Sequence, residues 1–469
     1  MEPYPSKYDR LTGADLTNLL VEQPGIPWHI GLLGILDGGP LTGPDGELRL
    51  DSVYRVLEGA LHVTPRLGQV VRRTLPGQGR PVWIDAGEVD LDWHLRVVPV
   101  PAPGDEWAFL RTCEGVLAPV MDRSRPLWDL TLLPGLIDGR VGVVLRLHHA
   151  VADGIAAVRI VQAMFGGLAV ASAGQSVTRR APRGRDLVVD AWRVRLVRAR
   201  AALRKIRRIR GLAQPAGALG SQLKALVRPA EPVPRTSLNR PVGPARRLAV
   251  LSVPFEPVHA VAHARGASVN DAVLAAAAGG LRAVLASRGE SADVTLRASV
   301  PVSLRTAEPG ASGGLGNRVG VLLVPLPLAE PDIGRRLDQI AAFTREEKVR
   351  ARQAGPLAVV SKTLWVRLAR PLFRRQQLVS IFVTNIPGPR TALELAGARL
   401  VRAYPAAPIA GNVTLGVGVL SYAGELGLGL VADADAWPDL PVFVDAVRES
   451  FEALVGTASH SVRGARPPG

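Results

Sequence analysis

The stretch Leu145-Arg146-Leu147-His148-His149-Ala150-Val151-Ala152-Asp153-Gly154 places two adjacent histidines and an acid at a corner. An apolar run, Val141 to Leu147, leads into it and a helical pattern, Ile155 to Leu168, follows. A histidine there suits general acid–base work, because imidazole titrates near neutral pH and can be held in one tautomer. Successive side chains of a strand point to opposite faces, so a His149 facing a cleft leaves His148 facing inward in a structural part. Asp153 either hydrogen-bonds His149 directly or anchors the loop through a buried arginine. The anchor is favoured, since an acid four residues on in a tight turn is more easily turned away from the histidine. Gly154 lets the chain bend where a Cβ would clash. The plain alternative is a pair of satisfied histidines at a sheet edge. A metal site is disfavoured, because adjacent histidines diverge and no second ligand cluster stands out.

Competing nucleophiles are weaker. Gly310-Ala311-Ser312-Gly313-Gly314 fits Gly-x-Ser-x-Gly, but a nucleophile elbow lies between a strand and a helix, and this loop runs on into a strand pattern, Val319 to Val324. Cys113 sits in an amphipathic helical pattern and reads as core. As the single cysteine it also excludes an internal disulfide framework and fits a reducing compartment.

The elements that position the corner fall into two halves. At 469 residues the chain is longer than one core usually organises. The first part, 1–177, reads as helix 13–22, strand 28–36, helix 53–63, a hairpin at 70–71 and 82–84, helix 107–120, strands 130–133 and 141–147, and helix 155–168. A basic, Pro-rich crossover is assigned to 178–247. The last part, 248–469, reads as strands at 248–253, 294–302, 319–324, 380–384, 414–420 and 426–431. Helices at 268–287, 333–351, 357–375 and 440–455 accompany them, with Ser268 as N-cap and Asp271 in the first turn. Both parts therefore mix strands with helices, the pattern of an α/β (α+β) chain whose sheets are covered by helices. Ala403 to Gly424 is uncharged and long, but its prolines and glycines make it a turn leading into a buried strand rather than a membrane span. The start of the chain shows no apolar export segment.

Charge is concentrated in the crossover. The chain has 57 Lys and Arg against 41 Asp and Glu; 19 and three of these lie between Thr178 and Arg247, so the rest balances at 38 of each. Within it, Val189, Trp192, Leu196, Ala199, Leu203 and Ile206 recur at helical spacing among arginines. This helix, 186–210, either packs through Trp192, Leu196 and Leu203 with a solvated arginine face, or adsorbs to anionic lipid. Nucleic acid is disfavoured as a partner for lack of a binding motif.

The corner resembles the His-His-x-x-x-Asp-Gly signature of the CoA-dependent acyltransferase superfamily. Pro126-Leu127-Trp128, Asn270-Asp271, Gly316-Asn317 and Asn385-Ile386-Pro387-Gly388-Pro389, in this order, are similar to motifs of the bacterial wax ester synthase/diacylglycerol acyltransferase family. So are Leu11 to Asp15, Pro27 to Gly31, and Ser421-Tyr422. Thr384 and Ala156 stand where the family usually has serine, and Trp28 where methionine is common; these departures bear on substrate preference rather than on the reaction.

The resemblance implies two chloramphenicol-acetyltransferase-like domains with a tunnel between them, open to the histidine from both ends. It implies an O-acyltransferase that moves a long-chain acyl group from acyl-CoA to a lipid hydroxyl, either diacylglycerol or a fatty alcohol, with His149 as base. Asn270 or Thr384 would donate to the oxyanion, with Asn270 ranked ahead, and Arg305 would anchor Asp153. No cofactor and no metal are expected, acyl-CoA being a substrate. The expected location is cytoplasmic, on the inner face of the membrane or on lipid inclusions. The alternatives are a relative acting on a soluble natural product or a carrier-bound acyl group, and a non-catalytic lipid-binding relative.

Overall fold

The computed structural model describes residues 6–152, 154–166, 182–211, 232–303, 319–354 and 375–464. The helices are α1 (Gly13–Val21), α2 (Leu50–Val63), α3 (Leu91–His94), α4 (Glu106–Leu117), α5 (Gly154–Phe165), α6 (Gly184–Gly211), α7 (Phe255–Ala264), α8 (Val269–Ser287), α9 (Ile333–Ala354) and α10 (Leu440–Gly464). Among the described residues, fourteen strands run from β1 (His29–Leu36) and a small hairpin, β2 (Gln69–Arg72) and β3 (Val82–Asp85), through β4 (Leu95–Val97), β5 (Trp128–Leu133) and β6 (Val141–His148). The second half contributes β7 (Arg246–Pro254), β8 (Thr295–Ser303), β9 (Val319–Pro327), β10 (Ile381–Pro387), β11 (Glu394–Leu395), β12 (Ala398–Ala406), β13 (Leu415–Tyr422) and β14 (Glu425–Asp433).

Two six-stranded sheets result, ordered β11-β12-β1-β6-β5-β4 and β7-β14-β13-β10-β8-β9. Each is mixed: β4 pairs parallel with β5 in the first, and β10 parallel with both β8 and β13 in the second. The mixed α/β architecture expected from the sequence is the one observed. The partition between the halves is not purely sequential, however. β11 and β12 lie in the stretch 248–469 yet extend the first sheet, with β12 antiparallel to β1. Of the run from Ala403 to Gly424, read from sequence as a turn leading into a buried strand, the first residues are instead the end of β12, and the turn after them leads into the buried β13.

Glycine explains how β12 reaches both sheets. A Cβ on Gly429 would lie 2.2 Å from the Pro405 carbonyl oxygen, one on Gly427 2.4 Å from that of Ala403, and one on Gly418 2.6 Å from that of Pro405. These three positions of β13 and β14 therefore allow the backbone of β12 to rest on the backbone of the second sheet. A shared core of Leu33, Phe109, Val144, Leu248, Val250 and Val431 joins the halves alongside. The Leu248 amide also donates to Glu114 Oε1 at 2.9 Å, a direct link from β7 to α4.

α8 is the centre of the second half. It starts with a capping box, in which Ser268 and Asp271 exchange hydrogen bonds, as the Ser268 N-cap reading anticipates. It is long and apolar enough to cross a membrane, but it is largely buried within the protein between the second sheet and α9 and α10.

The crossover helix α6 differs from expectation in its rotation. Its buried stripe is Leu187, Asp190, Ala191 and Val194, while Val189, Trp192, Leu196 and Leu203 are 69%, 56%, 52% and 56% exposed. The reason is a buried ion pair. Asp190 meets Arg10 at 2.8 Å, and Ser6 and the Lys7 amide donate to the same carboxylate. Packing through Trp192, Leu196 and Leu203 is thereby corrected: the helix docks through its neighbouring face. Residues 357–374 of the expected helix 357–375 and the Gly310 to Gly314 loop fall outside the described residues.

Candidate active site

The histidine pair separates as strand alternation requires. β6 and the residue that follows it present Leu145, Leu147 and His149 to one side, where a cavity of about 330 Å³ opens, while Arg146 and His148 are buried on the other. Trp28, just before β1, and Ile30 and Leu32 on it add to the same wall, β1 being in register with β6 through the pairs Ile30–Leu147 and Leu32–Leu145. α5 adds Ala157 and Val161, and β10 closes the far side with Phe382, Thr384 and Ile386. The wall is overwhelmingly apolar, and its volume falls in the range of small-molecule sites.

His148 is completely buried. Its Nδ1 accepts from the Ala150 amide at 3.0 Å, which puts the ring proton on Nε2, 3.5 Å from Glu22 Oε1. That contact is too long for a well-formed hydrogen bond. Glu22 also takes Arg123 Nη2 at 2.6 Å and Nε at 3.1 Å. Burial alone would raise the Glu22 carboxyl, but His148 and the Arg123 guanidinium outweigh it and hold it down to about 2. Arg146, on the same buried face, makes a bidentate pair with Asp129 at 2.6 and 2.8 Å. Across the strand pair, the buried His29 is driven well below the usual imidazole range by burial and by the Arg146 charge.

His149 is held from above by α1. Asn18 Nδ2 donates to the His149 carbonyl oxygen at 2.9 Å and lies 3.3 Å from its Nδ1, while the Trp28 indole N–H donates to Asn18 Oδ1 at 3.1 Å. The Trp28 ring stacks nearly parallel to the imidazole, 16° between planes at 6.0 Å. Asn18, Glu22 and Arg123 escaped the sequence reading. An i,i+4 pair at a helix end, Asn18 and Glu22, gives no local signal beyond proximity to the motif.

The other motif residues divide between wall and frame. Thr384 and Ser299 bring hydroxyls to the cavity, whereas Asn270, second residue of α8, is not among the lining residues. Asp271 is buried and committed to Ser268 and to Thr344 Oγ1 at 2.9 Å. Pro126, Leu127 and Trp128 frame the corner rather than line it. The Leu127 carbonyl accepts from the His148 amide, and the Trp128 indole donates to the Leu67 carbonyl at 2.8 Å. Asn385 lies on the face of β10 opposite Thr384. After Pro387, Gly388 donates to the Ser421 carbonyl at 3.0 Å, and a Cβ there would lie 2.4 Å from that oxygen, so the loop accepts only glycine. Gly154 faces Ile386, which a Cβ would approach to 3.1 Å. Asp153, Arg305 and Asn317 lie outside the described residues, and among the described residues there is no cluster of three metal-ligating side chains.

Comparison with known proteins decides the family. The model of the wax ester synthase/diacylglycerol acyltransferase catalytic domain matches residues 11–273, and that of the WS/DGAT C-terminal domain matches 315–455. The chain belongs to the wax ester synthase/diacylglycerol acyltransferase family. A putative diacylglycerol O-acyltransferase of Mycobacterium tuberculosis H37Rv is 32% identical over 96% of this chain and 91% of its own length. A probable diacylglycerol O-acyltransferase of the same strain is 30% identical over 91% of each. Among solved structures, the wax ester synthase/diacylglycerol acyltransferase of Marinobacter aquaeolei VT8 superposes with a TM-score of 0.67 at 24% identity, covering 96% of this chain and all of that one. The first condensation domain of the calcium-dependent antibiotic synthetase follows at 0.61 and 18%, covering 96% and 97%. These structures share the fold, and the family membership makes the chain an acyltransferase.

The Glu22 carboxylate gives this family member a pH signature. A carboxyl lowered from 4.5 to about 2 contributes stability that is fully present above pH 4.5 and is lost as pH falls through about 2, worth up to about 3 kcal/mol. Glu22→Gln should lose about that much stability in urea unfolding at pH 7 and should flatten the wild-type decline between pH 4.5 and 2. Equal stability of the two proteins at pH 7 would show that the carboxylate is not tied to His148 and Arg123.

Proposed function

We propose that the chain transfers a long-chain acyl group from acyl-CoA to a lipid hydroxyl, with His149 as general base. The observation that carries this is a single imidazole set in an apolar cavity walled by both sheets. Such a wall suits acyl chains and excludes water that would otherwise hydrolyse a thioester. The His149 imidazole takes the hydroxyl proton as the oxygen attacks the thioester carbonyl. The oxyanion that forms is met by the Thr384 hydroxyl, with Ser299 nearby on the wall. Thr384 takes precedence over Asn270 for this part because it lines the cavity. When the tetrahedral species collapses, the carbon–sulfur bond breaks, and the imidazolium returns the proton to the departing CoA thiolate. No covalent acyl-protein is required.

The acceptor is lipid rather than a soluble alcohol, and the support is α6. Its exposed Val189, Trp192, Leu196 and Leu203 are flanked by exposed Arg193, Arg195 and Arg200. An apolar stripe between cations is the pattern of a helix lying in the surface of an anionic membrane or lipid inclusion. This reading puts the enzyme at the cytoplasmic face, where insoluble acceptors collect.

Two measurements test these points. His149→Ala should lower ester formation by about 10²–10⁴-fold, the range for loss of a general base; near-normal turnover on every acyl-CoA and alcohol tried would remove His149 from the mechanism. In flotation, the protein should rise with anionic vesicles and less with neutral ones, and the difference should shrink as salt is added. Equal flotation with both would refute the electrostatic contact.

A further inference from the structure

Three rings form a row at the corner. The Trp28 indole, just before β1, lies nearly parallel to the His149 imidazole, 16° between planes with centroids 6.0 Å apart, and meets the Phe382 phenyl of β10 edge-on at 6.5 Å. The row crosses from the first sheet to the second, and all three residues line the cavity. A substrate group lying between imidazole and indole would need a gap of about 7 Å, two carbon contacts of about 3.5 Å each. The rings are closer than that, so the reacting groups must reach the imidazole alongside the indole. The indole is also fixed in place. Its N–H donates to Asn18 Oδ1 at 3.1 Å, and the Trp28 carbonyl accepts from the His149 amide at 3.1 Å. A ring held by its donor, its backbone and two aromatic neighbours is a wall that does not swing aside.

We propose that Trp28 is a specificity-determining residue that restricts the acceptor to primary hydroxyls on unbranched chains. This rests on the acyl transfer at His149 proposed above and names its acceptor class. A hydroxyl that gives its proton to the imidazole must come within about 3 Å of a ring nitrogen. Its carbinol carbon then stands one bond away, beside the indole. On a straight chain that carbon bears only hydrogens at its flanks. A secondary alcohol carries a second carbon there, and a diacylglycerol carries an acyloxy branch on the next carbon. Either branch has to pass the largest side chain of the cavity wall. A palmitoyl thioester is unbranched at its reacting end and meets no such obstacle. The wall has little slack elsewhere near the corner: at the start of α5, a Cβ on Gly154 would come 3.1 Å from Ile386 of β10. A small steric difference in an apolar pocket discriminates by about 10–200-fold, so one fixed indole is enough to choose between acceptors.

The test compares isomeric acceptors in the full chain, with palmitoyl-CoA as donor. Hexadecan-1-ol and hexadecan-2-ol share chain length and are dispersed in the same detergent, with 1,2-dipalmitoylglycerol as a third acceptor. In the wild type, kcat/KM for the primary alcohol should exceed that for the secondary one by at least about tenfold. Trp28→Leu, which removes the rings but keeps an apolar side chain, should cut that preference about tenfold and raise the relative use of the diacylglycerol. Trp28→Phe, which keeps one ring and most of the packing, should fall between. Each preference is a ratio within one preparation, so a loss of folded protein cancels, as does the intrinsic reactivity of the two alcohols when variants are compared. A residue that merely packed would change kcat/KM for both alcohols by the same factor. An unchanged ratio in Trp28→Leu therefore overturns the proposal. So does a change that appears instead between palmitoyl-CoA and 2-methylpalmitoyl-CoA with hexadecan-1-ol as acceptor, which would set the indole against the acyl chain. Release of CoA with no ester from any acceptor, in wild type and variants alike, is a separate outcome that overturns the acyl-transfer reading and this proposal with it.

Discussion

The close approach of β12 to the second sheet is the constraint on which the rest depends. Gly418, Gly427 and Gly429 allow Pro405 and Ala403 to present carbonyls where any Cβ would stand. Because β12 is also hydrogen-bonded to β1, the spacing of the two sheets is set by backbone and not by adjustable side chains. A cavity between the sheets can then persist while being lined almost wholly by apolar groups that would otherwise collapse on one another. Both walls are referred to one strand, so the imidazole from β6 and the hydroxyl from β10 keep a fixed separation.

At the corner itself, neighbouring histidines acquire opposite surroundings from the alternation of a strand. His148 is sealed against a carboxylate held well below the usual carboxylate range, and its Nδ1 holds the Ala150 amide, which shapes the turn leaving β6. His149 meets the Asn18 amide and the Trp28 indole and lines the apolar cavity. One imidazole thus serves the backbone, and the other reaches the cavity. The Arg146–Asp129 pair beneath them is fully desolvated; its value lies in fixing β5 against β6 rather than in net stability.

Much of this was legible in the sequence, and the failures have physical causes. Period-two reasoning separated His148 from His149, and it separates Thr384 from Asn385 in the same way. The Ser268 cap and the boundaries of most strands followed from local chemistry. Long-range pairing did not: nothing within Ala398–Ala406 states that it will join β1 rather than its neighbours in sequence, since β pairing is encoded in the partner as much as in the strand. α6 was rotated by one buried contact. Its sequence offers two apolar stripes, and the Asp190–Arg10 pair, made across 180 residues, selects the shorter one. Asn18 was silent because an asparagine near a helix end is common, and its meaning comes only from Trp28 and His149 beside it.

The central claim is direct transfer of an acyl group between CoA and a lipid hydroxyl in the His149 cavity. Its most direct test is the stoichiometry of the purified protein incubated with palmitoyl-CoA and a panel of fatty alcohols and diacylglycerols, with free CoA and neutral lipid followed together. One ester formed for each CoA released, with at least one of these acceptors, is the predicted result. Release of CoA with no ester from any acceptor would make the protein a thioester hydrolase and contradict the account.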